Sequence, residues 1–284
     1  SMPVRKAGYG IFGAVLWIAY LWPSSKVRET FESLAKHAGH PSTRRLFGDY
    51  VTGFLRGMNR TEQVRHGRTD DVDAMFLLPD RARLDAIMEQ GGCVLVIPHT
   101  HASLAMGRGL ARHYDLLALL RSTGNERRAA SERQIYANLD CDWLDIRVEN
   151  PTKVARRVLN ALNGGRLVIA TVDRIHNAPP PDKPVISSSD TVRAMAYGQP
   201  IGIAGWPARF SHKAGVPIIP VMAVQTEDTI SLILGEAITP SSDIVETTQT
   251  WVAEMERLMK THPDEWTFAL DKFWSRALRN STSA

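Results

Sequence analysis

The sequence predicts an α/β fold in which helices flank a mainly parallel central sheet. Three short apolar runs, at 93–98, 116–120 and 167–172, have the length and composition of buried strands. Amphipathic helical patterns alternate with these runs, which is typical of a doubly wound sheet. With 284 residues, 44% of them hydrophobic, the chain can bury a large core. Because no internal repeat or flexible linker is visible, we expect one compact unit.

The first 70 residues are predicted to form a helical, membrane-docking segment. An uncharged run, Tyr9–Trp22, is rich in aromatic residues and has basic residues on both sides. It is shorter than the roughly 20 residues that span a bilayer, so we expect peripheral contact. A buried first helix is the alternative, and a signal peptide is disfavoured because a charged helical pattern follows directly. Residues 1–70 hold eleven Lys and Arg against five Asp and Glu, whereas the rest holds 23 against 25.

The remaining elements follow from hydrophobic periodicity and from glycine and proline breakers. Two helices are expected within 26–66, separated by the breaker stretch 39–42. Further helices are predicted at 79–90, 103–112, 126–138, 153–162, 207–214, 247–262 and 263–278. Strands are predicted at 93–98, 116–120, 143–148, 167–172, 217–224 and 230–234. Between 174 and 205 the many prolines, serines and glycines predict a long loop without a regular element.

Several functional classes are disfavoured by missing motifs. Cys93 and Cys141 lie far apart, and Cys93 is inside an apolar strand, so buried thiols are expected rather than disulfides or a zinc site. No glycine-rich phosphate loop follows any strand, which argues against a nucleotide-binding enzyme. No G-x-S-x-G elbow surrounds Ser103, which argues against a serine hydrolase. We therefore expect no metal and no nucleic-acid partner.

Two histidines follow the most apolar strand, at the edge of the sheet where α/β enzymes bind ligands. Asp173 ends a neighbouring strand, so the topology should bring its carboxylate to the same edge. A neutral imidazole whose tautomer is held by a carboxylate can remove a proton from a hydroxyl. The sequence thus predicts His101 or His99 as a general base oriented by Asp173. The alternatives are structural histidines and an ordinary salt bridge from Asp173 to Arg174 or Arg209.

Four segments also match a family pattern in order. Gly205–Phe210 (G-W-P-A-R-F) is similar to a G-P-A-R-L segment, and 214–220 (A-G-V-P-I-I-P) to a strand of the form G-x-P-V-V-P. Residues 160–173 resemble a helix, glycine turn, strand and acidic end, and residues 262–273 resemble a P-E-Q-Y-x-W-x-x-x-R-F-K helix. Together they resemble the lysophospholipid acyltransferase superfamily, and within it the bacterial late lipid A acyltransferases. The resemblance covers roughly residues 10–276.

The resemblance implies a function and a location. It implies an O-acyltransferase domain at 71–284 and an N-terminal anchor at the cytoplasmic face of the inner membrane. Such enzymes move an acyl chain from acyl carrier protein or coenzyme A onto a hydroxyl of a lipid or glycolipid. They need no further cofactor, and they use a histidine base with an acidic residue five positions later.

The histidine motif itself differs in this sequence. Leu104 and Met106 stand five positions after the two histidines, and the ungapped match places Thr100 and Ala105 at the family's histidine and acid. This difference motivates an alternative function from another class. In that alternative, the chain is a catalytically degenerate acyltransferase-like protein that binds lipid or partners an active enzyme.

Four further residues are predicted to bind substrate. Arg121 matches an arginine that follows the second strand in the family, and its guanidinium suits an anionic acceptor group, although it could simply cap the sheet surface. Thr100 and Ser103 lie in the turn after the strand, and Arg209 lies in the G-P-A-R-L-like segment. Backbone amides at the start of the helix from Ser103 are predicted to help stabilise an oxyanion.

Overall fold

The computed structural model describes residues 2–281, with side chains described from Gly8 onward. The helices are α1 Met2–Leu21, α2 Lys26–Ala38, α3 Thr43–Arg65, α4 Asp70–Met75, α5 Arg81–Met88, α6 Ser103–Ala111, α7 Glu126–Ala137, α8 Pro151–Asn163, α9 Trp206–Ala214, α10 Ile244–Thr261 and α11 Lys272–Ser281. The strands are β1 Phe76–Leu77, β2 Cys93–Ile97, β3 Leu116–Leu120, β4 Asp142–Asp145, β5 Leu167–Thr171, β6 Val185–Ile186, β7 Thr191–Ala196, β8 Gln199–Ala204, β9 Ile218–Gln225 and β10 Ile230–Leu234.

Local signals set the ends of α2 and α3, the two helices expected within 26–66. The hydroxyls of Ser25 and Ser42 accept hydrogen bonds from the amides of Arg28 and Arg45, which would otherwise lack a partner in the first turn. α2 ends at Gly39, whose φ of 62° lies in the left-handed region that glycine adopts without strain. Both helices are therefore where the sequence predicted them.

The central sheet confirms the predicted fold class. It has seven strands in the order β1-β10-β9-β2-β5-β3-β4, and every neighbouring pair is parallel except β9 with β10. Along the fully buried strand β2, alternate side chains enter two different cores, because successive residues of a strand point to opposite faces. Helices α8, α9 and α10 cover one face, and α5, α6 and α7 cover the other.

The N-terminal helices share the core of the α/β part. Phe31 on α2 and Phe47 on α3 are fully buried in the same hydrophobic cluster as Trp266 and Trp274 near the C-terminus. α2 packs along α11, and α1 packs on α2 and α3. The helical segment is therefore continuous with the α/β part that follows it, since its apolar side chains help to build one common interior.

The predicted long loop at 174–205 contains a second sheet, so this prediction was wrong. β6, β7 and β8 form a three-stranded antiparallel sheet in that order. Tyr197 and Gly198 connect β7 to β8 as a two-residue hairpin, and both have positive φ, at 49° and 71°. Val192, Ala194 and Ala196 alternate inward along β7. This period of two is the strand signal that the surrounding prolines and serines obscured.

Two other predictions need correction. The strand expected at 143–148 ends at Asp145, and the next residues turn outward, leaving Ile146 and Val148 exposed. The helix expected at 263–278 is instead a short 3-10 helix, Thr267–Leu270, followed by α11. Long-range hydrogen bonds explain the second case, because residues 265–267 bond to the segment after β2 rather than to their own helix. Both cysteines are free; Cys93 is buried and Cys141 half-buried.

Candidate active site

The candidate active site lies where β2 and β5 end. These strands are parallel neighbours, and their register pairs Ile97 with Thr171. His99 and Asp173 each follow two residues later, so the same edge of the sheet receives both side chains. The amide of Val172 also donates to the carbonyl of Ile97, at 3.1 Å, which keeps the two chains together beyond the last paired residues. Strand register therefore produces the pair that the sequence predicted.

His99 and Asp173 form a direct hydrogen bond between Nδ1 and Oδ1. The backbone amide of His99 donates a second bond to Oδ2, at 3.0 Å. Asp173 is completely buried, whereas 29% of the His99 side chain is exposed. An inaccessible carboxylate thus supports an imidazole that solvent and ligands can reach.

Aromatic side chains from the C-terminal segment hold this pair in place. The indole Nε1 of Trp266 donates to Oδ2 of Asp173, at 2.9 Å, and that of Trp274 donates to its backbone oxygen, at 2.6 Å. The ring of Phe268 stacks on His99 with centroids 3.8 Å apart and planes 4° from parallel. The sequence-based analysis missed these three residues, since their aromatic pattern resembles ordinary core packing.

The hydrogen bonds also determine which imidazole nitrogen is free. A carboxylate is a hydrogen-bond acceptor. In neutral His99 the proton is therefore on Nδ1, which donates the hydrogen bond to Asp173. Among the described residues, none hydrogen-bonds to Nε2. The amide and hydroxyl of Thr267 both donate to the His99 carbonyl, each at 2.8 Å, which fixes the backbone beneath the ring. An unprotonated, accessible Nε2 is the arrangement that a general base requires.

His101 has a different environment from His99. It is only 8% exposed, and its Nε2 donates to the carbonyl of Asp264, at 3.0 Å. Its ring lies against Tyr50 and Phe54 of α3. Burial lowers the pKa of His101 to about 4, because the charged imidazolium is poorly solvated there. The structure therefore gives His101 a packing position beneath α3 and leaves His99 at the accessible edge.

Glycine at position 57 allows this close packing. A Cβ there would lie 2.3 Å from the carbonyl oxygen of His101. This clash involves the backbone, so no change of side-chain rotamer could remove it. The approach brings α3 onto the turn that follows His99.

Thr100 and Ser103, predicted to bind substrate, are bonded mainly to each other. The Ser103 hydroxyl accepts a hydrogen bond from the Thr100 amide, at 2.8 Å, and donates one to the Thr100 carbonyl, at 3.1 Å. It also lies 3.0 Å from the Thr100 hydroxyl. The His101 amide donates to the carbonyl of Glu265, and the Ser103 amide to that of Thr100. The Ser103 amide, the first of the helix-start amides predicted to stabilise an oxyanion, therefore already has a partner.

The two predicted arginines occupy different places. Arg121 directly follows β3, at the same sheet edge as His99 but on the far side of β5, and it is exposed. Within the described residues it makes no ion pair or hydrogen bond. Arg209 on α9 instead forms an ion pair with Asp190 at the start of β7. The alternative salt bridge from Asp173 to Arg174 or Arg209 is absent among the described contacts, since Asp173 bonds to His99 and two tryptophans.

An apolar cavity lies on the α6 side of the sheet, and its lining includes neither His99 nor Asp173. It holds about 420 Å³ of space, part of it open to solvent. Ile97 and Thr171, each two residues before the pair, line it together with Leu104 and Met106 of α6. These two apolar residues stand where the family pattern would need an acid, five positions after each histidine. The rest of the cavity wall comes mainly from apolar side chains of β3 and β5, with Ser103, Gly107, Leu139 and Cys141.

No protein-family model matches the chain, and no curated protein does. Among the described residues, no group of three or more His, Cys, Asp or Glu is arranged to hold a metal ion. The geometry of His99, Asp173 and their surroundings is therefore the basis for the chemistry of this site.

Proposed function

We propose that this protein is a membrane-peripheral O-acyltransferase, in which His99 is the general base and Asp173 orients it. One observation carries the proposal: a buried carboxylate supports an accessible imidazole at the carboxyl edge of a parallel sheet, two residues beyond strand residues that line an apolar cavity. Asp173 takes the place of the acid that the family keeps five residues after its histidine. The base and its acid thus come from adjacent strands instead of one helix.

The proposed reaction is one acyl transfer. Nε2 of His99 removes the proton of an acceptor hydroxyl, and the oxygen attacks the carbonyl carbon of an acyl thioester. The new C–O bond gives a tetrahedral oxyanion, which collapses as the C–S bond breaks. The leaving thiolate then takes the proton from the imidazolium. Asp173 stabilises the imidazolium between these steps through its hydrogen bond to Nδ1.

The cavity suits the acyl chain. Its walls are mostly aliphatic, and they begin two residues before the base, so a bound chain would place its carbonyl close to His99. The donor in this proposal is acyl carrier protein or acyl-coenzyme A, and the acceptor is a lipid or glycolipid. Arg121, unpaired at the same sheet edge, would hold an anionic group of the acceptor.

The first helix supports peripheral contact with a membrane, and the proposed location is the cytoplasmic face of the inner membrane. None of the described helices is both long and apolar enough to cross a bilayer. On α1, Trp17 and Tyr20 pack against Phe47, at ring distances of 5.0 and 4.3 Å. Ile11 and Ile18 are 68% and 62% exposed. One face thus anchors the helix to the protein, and the other offers apolar side chains to a membrane interface.

A direct test compares His99→Ala with His113→Ala, an exposed histidine just after α6. The assay follows release of free thiol from decanoyl-coenzyme A and decanoyl acyl carrier protein in the presence of lysophospholipid and glycolipid acceptors. We expect His99→Ala to lower the rate by about 10² or more and His113→Ala to leave it unchanged. Equal rates for His99→Ala and the wild-type protein would exclude His99 as the base.

The alternative of a non-catalytic lipid binder is favoured by Leu104 and Met106, which line the cavity where the family's acid would stand. The same assay distinguishes it. If the wild-type protein binds the acyl chain but transfers it from neither donor to any acceptor, and His99→Ala binds equally well, the cavity is a binding site only.

A further inference from the structure

A second cleft lies on the other side of the Asp173 segment, between the three-stranded sheet and α11. It encloses about 710 Å³, including space open to solvent. Ile175, two residues after Asp173, forms part of its floor, and Phe273 of α11 forms another part. The polar side chains that line it are His176, Asn177, Arg193, Gln199, Arg276 and Asn280. The proposed reaction uses none of them.

The charge of this cleft is positive and uncompensated. No aspartate or glutamate lines it. Within the described part of the chain, neither Arg193 nor Arg276 makes an ion pair. Each donates one hydrogen bond to a neutral oxygen: Arg193 to the carbonyl of Pro179, at 2.6 Å, and Arg276 to the side-chain oxygen of Asn177, at 2.9 Å. Their other N–H groups are left for a ligand or for water. By contrast, Arg209 and Arg279 nearby are paired with carboxylates.

Both guanidinium groups are held before any ligand arrives. The guanidinium of Arg193 is held by its bond to the Pro179 carbonyl, and its backbone is fixed in β7, where the residue is paired with Gly202 and its amide donates to the Pro184 carbonyl, at 2.7 Å. The guanidinium of Arg276 lies 5.4 Å from the centroid of the Phe273 ring, in cation–π contact. Because these side chains are already restrained, an anion that binds them loses less free energy to ordering.

We propose that this cleft binds a phosphate ester. Its donors stand on three walls: Arg193 on β7, Arg276 on α11, and Asn177 on the loop after β5. A phosphate presents several oxygens in different directions and can bond to donors on all three walls, whereas a carboxylate presents two oxygens in one plane. The ester-linked part of the ligand has room in the rest of the cleft. This assignment goes beyond the proposed function, because it requires neither acyl transfer nor a membrane.

Equilibrium binding to the full-length protein tests the assignment. Glycerol 3-phosphate and inorganic phosphate are titrated by calorimetry, with glycerol as the uncharged control. A second arm compares binding to phosphatidylcholine vesicles with and without phosphatidic acid, which separates a lipid headgroup from a soluble ester. We expect binding of the phosphate compounds in the first arm, or a preference for phosphatidic acid in the second, and none of glycerol.

Three variants assign the binding to this cleft. Arg193→Gln and Arg276→Gln should each weaken it by about tenfold or more, because each removes a charged donor. Gln199→Glu keeps the size of the side chain and replaces its amide nitrogen with a carboxylate oxygen. The added negative charge should abolish binding, and the protein should still unfold at the wild-type temperature. Arg156→Gln, at an exposed site on α8 outside the cleft, is the control for net charge.

The outcomes are unambiguous. Loss of binding in the three cleft variants, with Arg156→Gln unaffected, supports the assignment whether or not any acyl transfer is measured. Failure of the wild-type protein to bind in both arms, or equal binding by all variants, overturns it. Equal losses in Arg156→Gln and the cleft variants would also overturn it, since attraction by net charge would then explain the binding.

Discussion

His99 and Asp173 are 74 positions apart in the sequence, yet their side chains meet because they follow paired residues of adjacent parallel strands. The carboxylate accepts three hydrogen bonds, from the His99 ring, the His99 amide and the Trp266 indole. A carboxylate satisfied in this way has one orientation, and it transmits that orientation to the imidazole. The imidazole of His99 is therefore positioned by the sheet and the C-terminal segment together.

Asp173→Asn should inactivate the protein through the tautomer of His99. An asparagine has only one acceptor oxygen, so it cannot accept hydrogen bonds from Nδ1–H and from both other donors. The tautomer with the proton on Nδ1 and a free lone pair on Nε2 is then no longer enforced. We expect the rate to fall by about 10² or more, with a loss of about 1–3 kcal/mol in the free energy of unfolding from the unsatisfied donors. The measurements are thiol release per folded molecule and urea unfolding.

The double variant His99→Ala/Asp173→Asn provides the cross-check. Two residues that act as one unit have strongly non-additive effects, so the double variant should be within about threefold of His99→Ala. Multiplication of the two single effects would instead mean that Asp173 acts independently of His99.

Trp266→Phe should separate positioning from packing, with Trp274→Phe as the matched control. Both changes shrink a fully buried indole, and both should lower thermal stability. Only Trp266 bonds to the carboxylate; Trp274 bonds to the backbone oxygen of the same residue. We expect Trp266→Phe alone to lower kcat while KM for the acyl donor stays constant. Equal kcat values in the two variants would give Trp266 a structural role only.

Two buried groups near α3 should affect stability in opposite directions as pH changes. Burial raises the pKa of Glu265 to about 7, so between its unfolded pKa of 4.5 and 7 the folded state binds more protons, and stability falls as pH rises. The lowered pKa of His101, about 4, has the reverse effect. Between 4 and 6.5 the unfolded state binds more protons, and stability increases with pH. The two contributions should largely cancel in the wild-type protein.

Glu265→Gln removes one of the two contributions. Relative to the wild-type protein, its free energy of unfolding should increase by about 3 kcal/mol as pH rises from 4.5 to above 7. Urea unfolding at several pH values measures this difference, and Glu89→Gln, at an exposed site, is the control. A difference between Glu265→Gln and wild type that stays constant with pH would show that Glu265 titrates normally.

Acidic substitutions on the outer face of α1 should reduce membrane binding. Ile11→Glu together with Ile18→Glu places two charges on the exposed apolar face without touching the rings that pack on Phe47. Each isoleucine buried at a membrane interface contributes about 1.5–3 kcal/mol, so sedimentation with anionic vesicles should decrease by about tenfold or more. Met195→Glu makes the same kind of change on β7, where the methionine is 44% exposed, and should have no effect.

Deletion of α1 would be a poorer test. Trp17 and Tyr20 cover Phe47, so a shortened chain would expose part of the core and could bind lipid for that reason. If the double substitution on α1 leaves vesicle binding unchanged, the exposed face of this helix is not the docking surface.

The main strands and most helices could be predicted because their signals are local. The runs that became β2, β3 and β5 are short, apolar and bounded by breakers, and α2 and α3 carry their own capping residues. The hairpin at Tyr197 and Gly198 was missed although its signal is also local. Its alternation is equally local, but it is short and lies among prolines and serines that usually indicate irregular structure.

The sequence alone determined the α/β class, the parallel edge at which histidines and an aspartate should meet, and the apolar first helix. Only the tertiary structure distinguishes the surroundings of His99 from those of His101. They are two residues apart and follow the same strand, so no periodicity distinguishes them. The choice came from contacts across the chain: Asp173 and Phe268 hold His99 at the accessible edge, and α3 covers His101. Such contacts depend on strand register and helix packing, which local propensities do not encode.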